Sequence, residues 1–481
     1  MKTILVSVLF LVHISVKAQE RFQPTWESLK KYQTPDWFRD AKFGIFIHWG
    51  VYSVPAFGTE WYPRQMYLKG SEAYTHHLST YGDFTKFGYK DFIPLFKAEK
   101  FNADQWVDVF KRSGAKYIVP VAEHHDGFAM YKTALSKWNA SEMGPKRDII
   151  GELAEACKKK DLVFGVSTHR IEHWWFMNGG RHLASDMMSG EYDDFYGPAR
   201  EQDETPSPEY MNDWLLRCTE LVDTYHPQLI WFDWWIEQPA MDPYRKSFAS
   251  YYYNKGVEWK KGVVINYKND SYPKEAAVFD IERGSSKATK VQPWQTDTSI
   301  GKKSWGYIEG EENKTPNELV DALIDIVSKN GNLLLNIGPR ADGTITQEQE
   351  DVLLAIGSWL DIHGEGIYGT RPWKVDGEGP TQNLGEEVSF NEYKSKGYTS
   401  KDIRFTTKGE VVYAFVLDEP KEKIYMKSLS EKSGNGKIAA IELLGSNEKV
   451  NWSQNSDGLS ITPAKSYPSH SAVGYRITFK K

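Results

Sequence analysis

One repeated unit across residues 43–339 leaves few folds open. A short apolar run ends in a polar, chemistry-bearing residue, and a stretch of helical pattern follows. The runs close on His48, on His124 and His125, on His169, on Asp233, on Lys268 and on Glu282. Helical patterns fall at 103–114, 148–160, 208–225, 244–255, 316–329 and 346–362, with Asp148 placed to cap the second. The alternation recurs about seven or eight times over roughly 330 residues, and no glycine-rich phosphate loop follows the first run. This predicts an α/β fold, a (β/α)8-like (TIM-type) barrel rather than a doubly wound sheet. The stretch 294–300 is ragged, so an irregular barrel is expected.

Beyond Trp373 the texture changes. Short alternating segments at 403–407, 411–417, 438–444 and 473–479 are separated by Gly, Asn, Ser and Lys clusters, which predicts a C-terminal antiparallel β-sandwich. The expected division is a barrel over 19–373 and a sandwich over 374–481, with packing against the barrel as the expected role of the sandwich. Residues 1–18 have the form of an export signal: Lys2, an apolar stretch over 4–16, and Val16-Lys17-Ala18 as a small-residue cleavage site. That stretch is too short to span a bilayer. The mature chain is therefore expected in the periplasm or outside the cell. Cys157 and Cys218 both fall in helical patterns, so no disulfide framework is expected.

A formal charge of −6 provides no basic footprint for nucleic acid. Eighteen tryptophans and 27 tyrosines exceed what packing alone suggests, and flat aromatic faces suit the apolar faces of sugar rings. In Leu229-Ile230-Trp231-Phe232-Asp233-Trp234-Trp235 a carboxylate sits among tryptophans, and a buried acid needs partners. Its plainest alternative role is a helix cap or an interior ion pair. Polar residues at the C-terminal ends of barrel strands line the active face. That rule gathers His48, His124, His125, Asp126, His169, Asp233, Lys268 and Glu282 around one mouth. Trp49, Trp61, Trp174, Trp175, Trp231, Trp234, Trp235 and Trp305 are expected as its walls.

Asp233 and Glu282, at the ends of different strands, are the pair that glycoside hydrolysis requires: one attacks or activates water, the other protonates the leaving oxygen. Glu60, Glu123 and Glu237 are rival acids. His48, His124, His125 and Asp126 also carry donor types that zinc accepts. Adjacent histidines on a strand point to opposite faces, so they share a metal only where the strand has ended. Hydrogen bonding to sugar hydroxyls is the preferred role, and no metal or cofactor is expected.

These residues resemble the α-L-fucosidases of glycoside hydrolase family 29. The resemblance runs over most of residues 35–373. It is carried by Trp37-Phe38-x-x-Ala41-Lys42-Phe43-Gly44-Ile45-Phe46-Ile47-His48-Trp49-Gly50, Glu60-Trp61-Tyr62 and His124-His125-Asp126-Gly127-Phe128. Ser136-x-Trp138-Asn139, Ser304-Trp305-Gly306-Tyr307, Gly331-Asn332-Leu333-Leu334-Leu335-Asn336-Ile337-Gly338-Pro339 and Gly366-Ile367-Tyr368-Gly369 extend it. The resemblance implies a retaining exo-hydrolase acting on terminal fucose of an oligosaccharide or glycoconjugate. It implies Asp233 as nucleophile and Glu282, in Phe279-Asp280-Ile281-Glu282-Arg283-Gly284, as acid/base. It also implies sugar contacts from His48, Glu60, Trp61, His124, His125, Trp231 and Trp305.

Two departures stand out. Where the family often has Tyr-Tyr-Ser after the third strand, this chain reads Ser167-Thr168-His169-Arg170, so His169 is expected to fill a tyrosine's space. Where many members have Asn-Asp-Arg, it reads Asn266-Tyr267-Lys268, so Lys268 is expected to replace the arginine as a point charge. Another terminal sugar such as galactose, or a non-catalytic glycan-binding protein, are the alternatives.

Overall fold

The computed structural model describes residues 21–381, 390, 392 and 397–480; the export segment expected at 1–18 lies outside them. Eight parallel strands close a barrel in chain order: β1 (Phe43–Ile47), β2 (Tyr117–Glu123), β3 (Val163–Thr168), β4 (Leu229–Phe232), β5 (Val264–Tyr267), β6 (Val278–Glu282), β7 (Trp294–Ser299) and β8 (Gly331–Ile337). β8 returns to β1 with Ile47 opposite Ile337. β1, β2, β4 and β8 are buried along their whole length, because parallel strands are covered on both faces.

Inside the barrel Phe46, Tyr117, Val119, Trp231, Val264 and Leu334 share one core. A Cβ at Gly44 would collide with the Tyr117 ring, so a glycine here is what lets that ring reach the axis. The Tyr117 hydroxyl donates to Gln295 Oε1 from 2.8 Å.

Helices Ala103–Arg112, Ile149–Lys160, Pro208–Tyr225, Asp242–Trp259, Pro316–Ser328 and Gln347–His363 make the outer layer. Their starts are chemically marked. Asp148 accepts from Gly151 N; Ser207 caps a helix with proline in its first turn; Thr315 and Glu318 form a reciprocal capping box. Among the described residues the crossings β5–β6 and β6–β7 hold turns in place of helices, and this is where the barrel is irregular.

The ragged stretch 294–300 is in fact the regular strand β7. It read as ragged because Gln295, Thr296, Asp297 and Thr298 are polar yet buried. Each has partners that replace water: Thr296 Oγ1, for instance, donates to Ile281 O from 2.6 Å.

Cys157 and Cys218 are buried free thiols. No helix among the described residues is long and apolar enough to cross a membrane.

The C-terminal part pairs antiparallel throughout. β9 (Arg371–Glu378), β10 (Ile403–Lys408), β11 (Val411–Val416), β13 (Ile438–Leu443) and β16 (Val473–Phe479) form a five-stranded sheet. β12 (Ile424–Met426), β14 (Trp452–Gln454) and β15 (Leu459–Ile461) form a second, of three strands. The second sheet escaped sequence reading because its strands are only three residues long, too short to display alternation.

Phe405, Val412, Val416, Ile461, Val473 and Ile477 give the sandwich its own core. It is bolted to the barrel by polar contacts. Arg404 Nε stands 2.6 Å from Asp325 Oδ1, Lys329 Nζ stands 2.8 Å from the other oxygen, and Trp359 Nε1 donates to Ala472 O.

Candidate active site

At the C-terminal mouth of the barrel a cavity of about 480 Å³ gathers residues that directly end or follow strands: His48, His124, His125, His169, Asp233, Lys268 and Glu282. This size lies within the usual range for small-molecule sites. Glu60, Trp61, Trp231, Trp234 and Trp305 complete its walls.

Asp233 follows the last residue of β4, and both its oxygens are engaged. His169 Nδ1 lies 2.8 Å from Oδ2, and Trp234 N donates to Oδ1 from 2.9 Å. His125 Nε2 stands 3.6 Å from Oδ2. Burial pushes the Asp233 carboxyl up. The His169 hydrogen bond and the charges of His169, Lys268 and His125 overcome it and hold the group well below the usual carboxylate range.

Glu282 ends β6. Lys268 Nζ lies 2.6 Å from its Oε2 and 3.3 Å from Asp297 Oδ2. Burial raises the Glu282 pKa; the Lys268 charge opposes this, while Asp297 and Asp233 add to it, and the net shift is upward. Lys268 is buried, and burial alone would discharge it. The carboxylates of Asp297, Glu282 and Asp233 outweigh that and keep it charged. Its ammonium also lies 4.9 Å from the Trp231 ring centre.

The histidines form one cluster. His124 and His125 ring centres are 4.3 Å apart, His124 and His169 4.7 Å, His48 and His124 5.6 Å. β2 has ended at Glu123, which frees His124 and His125 from the opposite-face rule and lets both line the cavity. Asn336 Oδ1 sits 2.7 Å from His48 Nδ1, so the proton belongs on Nδ1 and Nε2 is left as an acceptor. Burial pushes His48 and His124 well below the usual imidazole range, and they stand neutral. Glu60 Oε2 accepts from Trp305 N (2.9 Å) and Ser304 Oγ (3.1 Å), clamping the loop that carries Trp305.

Several expected members lie elsewhere. Asp126 turns away from the mouth to accept from Tyr89 Oη (2.7 Å) and Phe128 N. Glu123 is buried between Arg170 and Arg217 as an interior ion pair. Glu237 accepts from Asn269 Nδ2 outside the cavity. Trp49 packs on Phe96, Phe101 and Trp106; Trp174, Trp175 and Trp235 are buried outside the cavity lining. An aromatic near a strand end has two sides to choose from, and sequence order does not say which.

Other contributors went unread. Asp297 was concealed in the polar strand β7. Glu172 is fully buried, 3.6 Å from His125 Nδ1; burial and then the Asp233 charge push its carboxyl well above the usual range. Arg283, Lys303, Asn269 and Phe390 also line the cavity.

Among the described residues two ligand sets are close enough to hold a metal: His48, His124 and His169, and His125, His169 and Asp233. In the second set, a cation would take the Asp233 oxygen that His169 now bonds, so bound metal and free carboxylate exclude each other there.

Comparison with known proteins identifies the chain's relatives. The alpha-L-fucosidase family model matches residues 9–365, and the model of the alpha-L-fucosidase C-terminal domain matches residues 396–480. Tissue alpha-L-fucosidase of Rattus norvegicus is 32% identical over 475 residues, covering 96% of this chain and 93% of its own. Plasma alpha-L-fucosidase of Homo sapiens is 35% identical over 452 residues, covering 90% and 86%. The crystal structure of Thermotoga maritima alpha-fucosidase with a mechanism-based inhibitor superposes with a TM-score of 0.77 at 31% identity, covering 95% of this chain and 100% of that one. With these matches spanning barrel and C-terminal domain alike, the chain belongs to the alpha-L-fucosidase family and is a glycoside hydrolase.

Proposed function

We propose that the protein is an exported, retaining exo-α-L-fucosidase that removes terminal α-L-fucose from oligosaccharides or glycoconjugates by double displacement. The observation that carries this reading is the pairing of Asp233 and Glu282 across one cavity, with their acidities pushed in opposite directions. Asp233, ionised and aimed by His169 and Trp234 N–H, attacks the anomeric carbon. Glu282 keeps its proton and delivers it to the departing oxygen. The glycosidic bond breaks as the Asp233–fucosyl ester forms. Glu282, now a carboxylate, then takes a proton from water, which attacks the ester, releases fucose and frees Asp233.

His48, with an acceptor nitrogen inward, the neutral His124, and His125 suit the hydroxyl edge of the sugar. Glu60 adds a carboxylate, while Trp61, Trp231 and Trp305 offer apolar faces. Lys268 holds the acid and balances the negative charge of the carboxylates around it. A mechanism-based inhibitor and fucose each occupy related Thermotoga maritima structures, which supports a covalent step and a fucose pocket here. Export rests on the residues at 1–18.

Retention is tested by proton NMR of early turnover of an aryl α-L-fucoside. The reading requires α-L-fucose as the first-formed anomer; β-L-fucose appearing first would overturn it.

A further inference from the structure

Phe390 is a side chain that the scheme above does not use. Its ring is 51% exposed at the cavity rim, and its φ of +61° is a conformation that costs a bulky side chain. Yet the residue is held firmly: Phe390 N donates to Glu282 O from 2.7 Å, and Glu392 N to Arg283 O from 3.1 Å. The Glu392 carboxylate is pinned by Arg283 (3.2 Å), Lys314 (3.0 Å) and Thr298 Oγ1 (2.6 Å). Phe390 and Glu392, which fall between β9 and β10 of the sandwich, are therefore fastened to the backbone of the residue that protonates the leaving group and of its neighbour. A strained backbone that displays an exposed ring at such a place points to use.

We propose that Phe390 is the platform for the leaving group, a pyranose that lays its C–H face on the ring, with Trp234 and Asn269 on the facing rim. The inference rests on Glu282 as the acid, since the departing oxygen must sit at that carboxyl and the body of the leaving group must then pass Phe390. A ring with apolar C–H faces fits an aromatic platform. It makes Phe390 a specificity determinant for what fucose is attached to.

The test compares kcat/KM on α-L-fucosyl fluoride, whose leaving group has no ring, with that on a fucosyl-α-1,2-galactose disaccharide. Phe390→Ala should lose about tenfold on the disaccharide and stay within about twofold on the fluoride, and Phe390→Tyr should restore the disaccharide rate. Parallel loss on both substrates would mean that Phe390 only supports Glu282, and no loss on the disaccharide would mean that the ring meets nothing; either overturns the proposal. Glu282→Ala in the same panel checks the acid separately. A loss on the fluoride as large as on the disaccharide would remove the acid assignment, and the platform with it.

Discussion

His169 Nδ1 and Asp233 Oδ2 lie 2.8 Å apart, at the ends of adjacent strands β3 and β4. Together with Trp234 N–H on Oδ1, this contact fixes the plane of the carboxylate and leaves the histidine no freedom to serve the sugar through that nitrogen. His169→Ala should therefore cut kcat/KM about 100-fold, because a nucleophile misplaced by an ångström costs about that much. The circular dichroism spectrum should be unchanged. His169→Gln, which keeps an amide donor, should recover part of the loss. An unaltered rate in His169→Ala would show that Trp234 N–H alone suffices.

Lys268 couples the two acids. Removing its charge destabilises both carboxylates, so the pKa values of Asp233 and Glu282 both rise. In the proposed mechanism the acidic limb of kcat/KM follows ionisation of Asp233 and the alkaline limb follows deprotonation of Glu282. Lys268→Met should thus move the whole bell to higher pH while lowering its peak. A shift to lower pH would contradict the arrangement.

In the proposed mechanism Glu282→Ala removes the proton donor without touching the nucleophile. For a poor sugar leaving group, kcat/KM should fall by about 10²-fold or more. For a dinitrophenyl leaving group, which departs without a proton, the fall should be slight. Equal losses would move the acid role to Glu60, the other glutamate in the cavity.

Stability offers an independent check. Asp321 is buried in helix Pro316–Ser328, and among the described residues its Oδ1 has no hydrogen-bond partner. Burial, then the neighbouring Asp418, pushes its carboxyl up to about 8, against the Arg404 charge. A raised carboxyl pKa contributes stability that is full below the unfolded value of about 4 and is lost as pH climbs toward 8. Asp321→Asn should leave Tm near pH 4 little changed and raise it at pH 9 by about 2 °C or more. A lower Tm at pH 9 would show that the charged form is the stabilised one.

The barrel was legible because its strands are apolar runs whose ends carry polar residues, a pattern that parallel sheets impose. His48, Asp233 and Glu282 could be placed because strand ends map to one face. β7 was not legible: Gln295, Asp297 and Thr298 are buried through side-chain hydrogen bonds made to residues distant in sequence, and a one-dimensional pattern reports hydrophobicity, not satisfied polarity. Asp126 failed for a related reason. It shares a motif with His124 and His125, but the turn after β2 sends it toward Tyr89. Phe390 lies far along the chain and is held at the mouth by its backbone bond to Glu282 O and by the Glu392 anchor. His169 as the partner of Asp233 was hinted at only by a departure from the family pattern.

The central claim is that Asp233 becomes covalently bonded to fucose. Incubation with 2-deoxy-2-fluoro-α-L-fucosyl fluoride, followed by proteolysis and peptide mass mapping, tests it directly. The account predicts one fluorofucosyl group per chain, carried on Asp233, and no labelling of Asp233→Gly. A label on Glu60, Glu237 or Glu282, or turnover that leaves no labelled peptide, would contradict it.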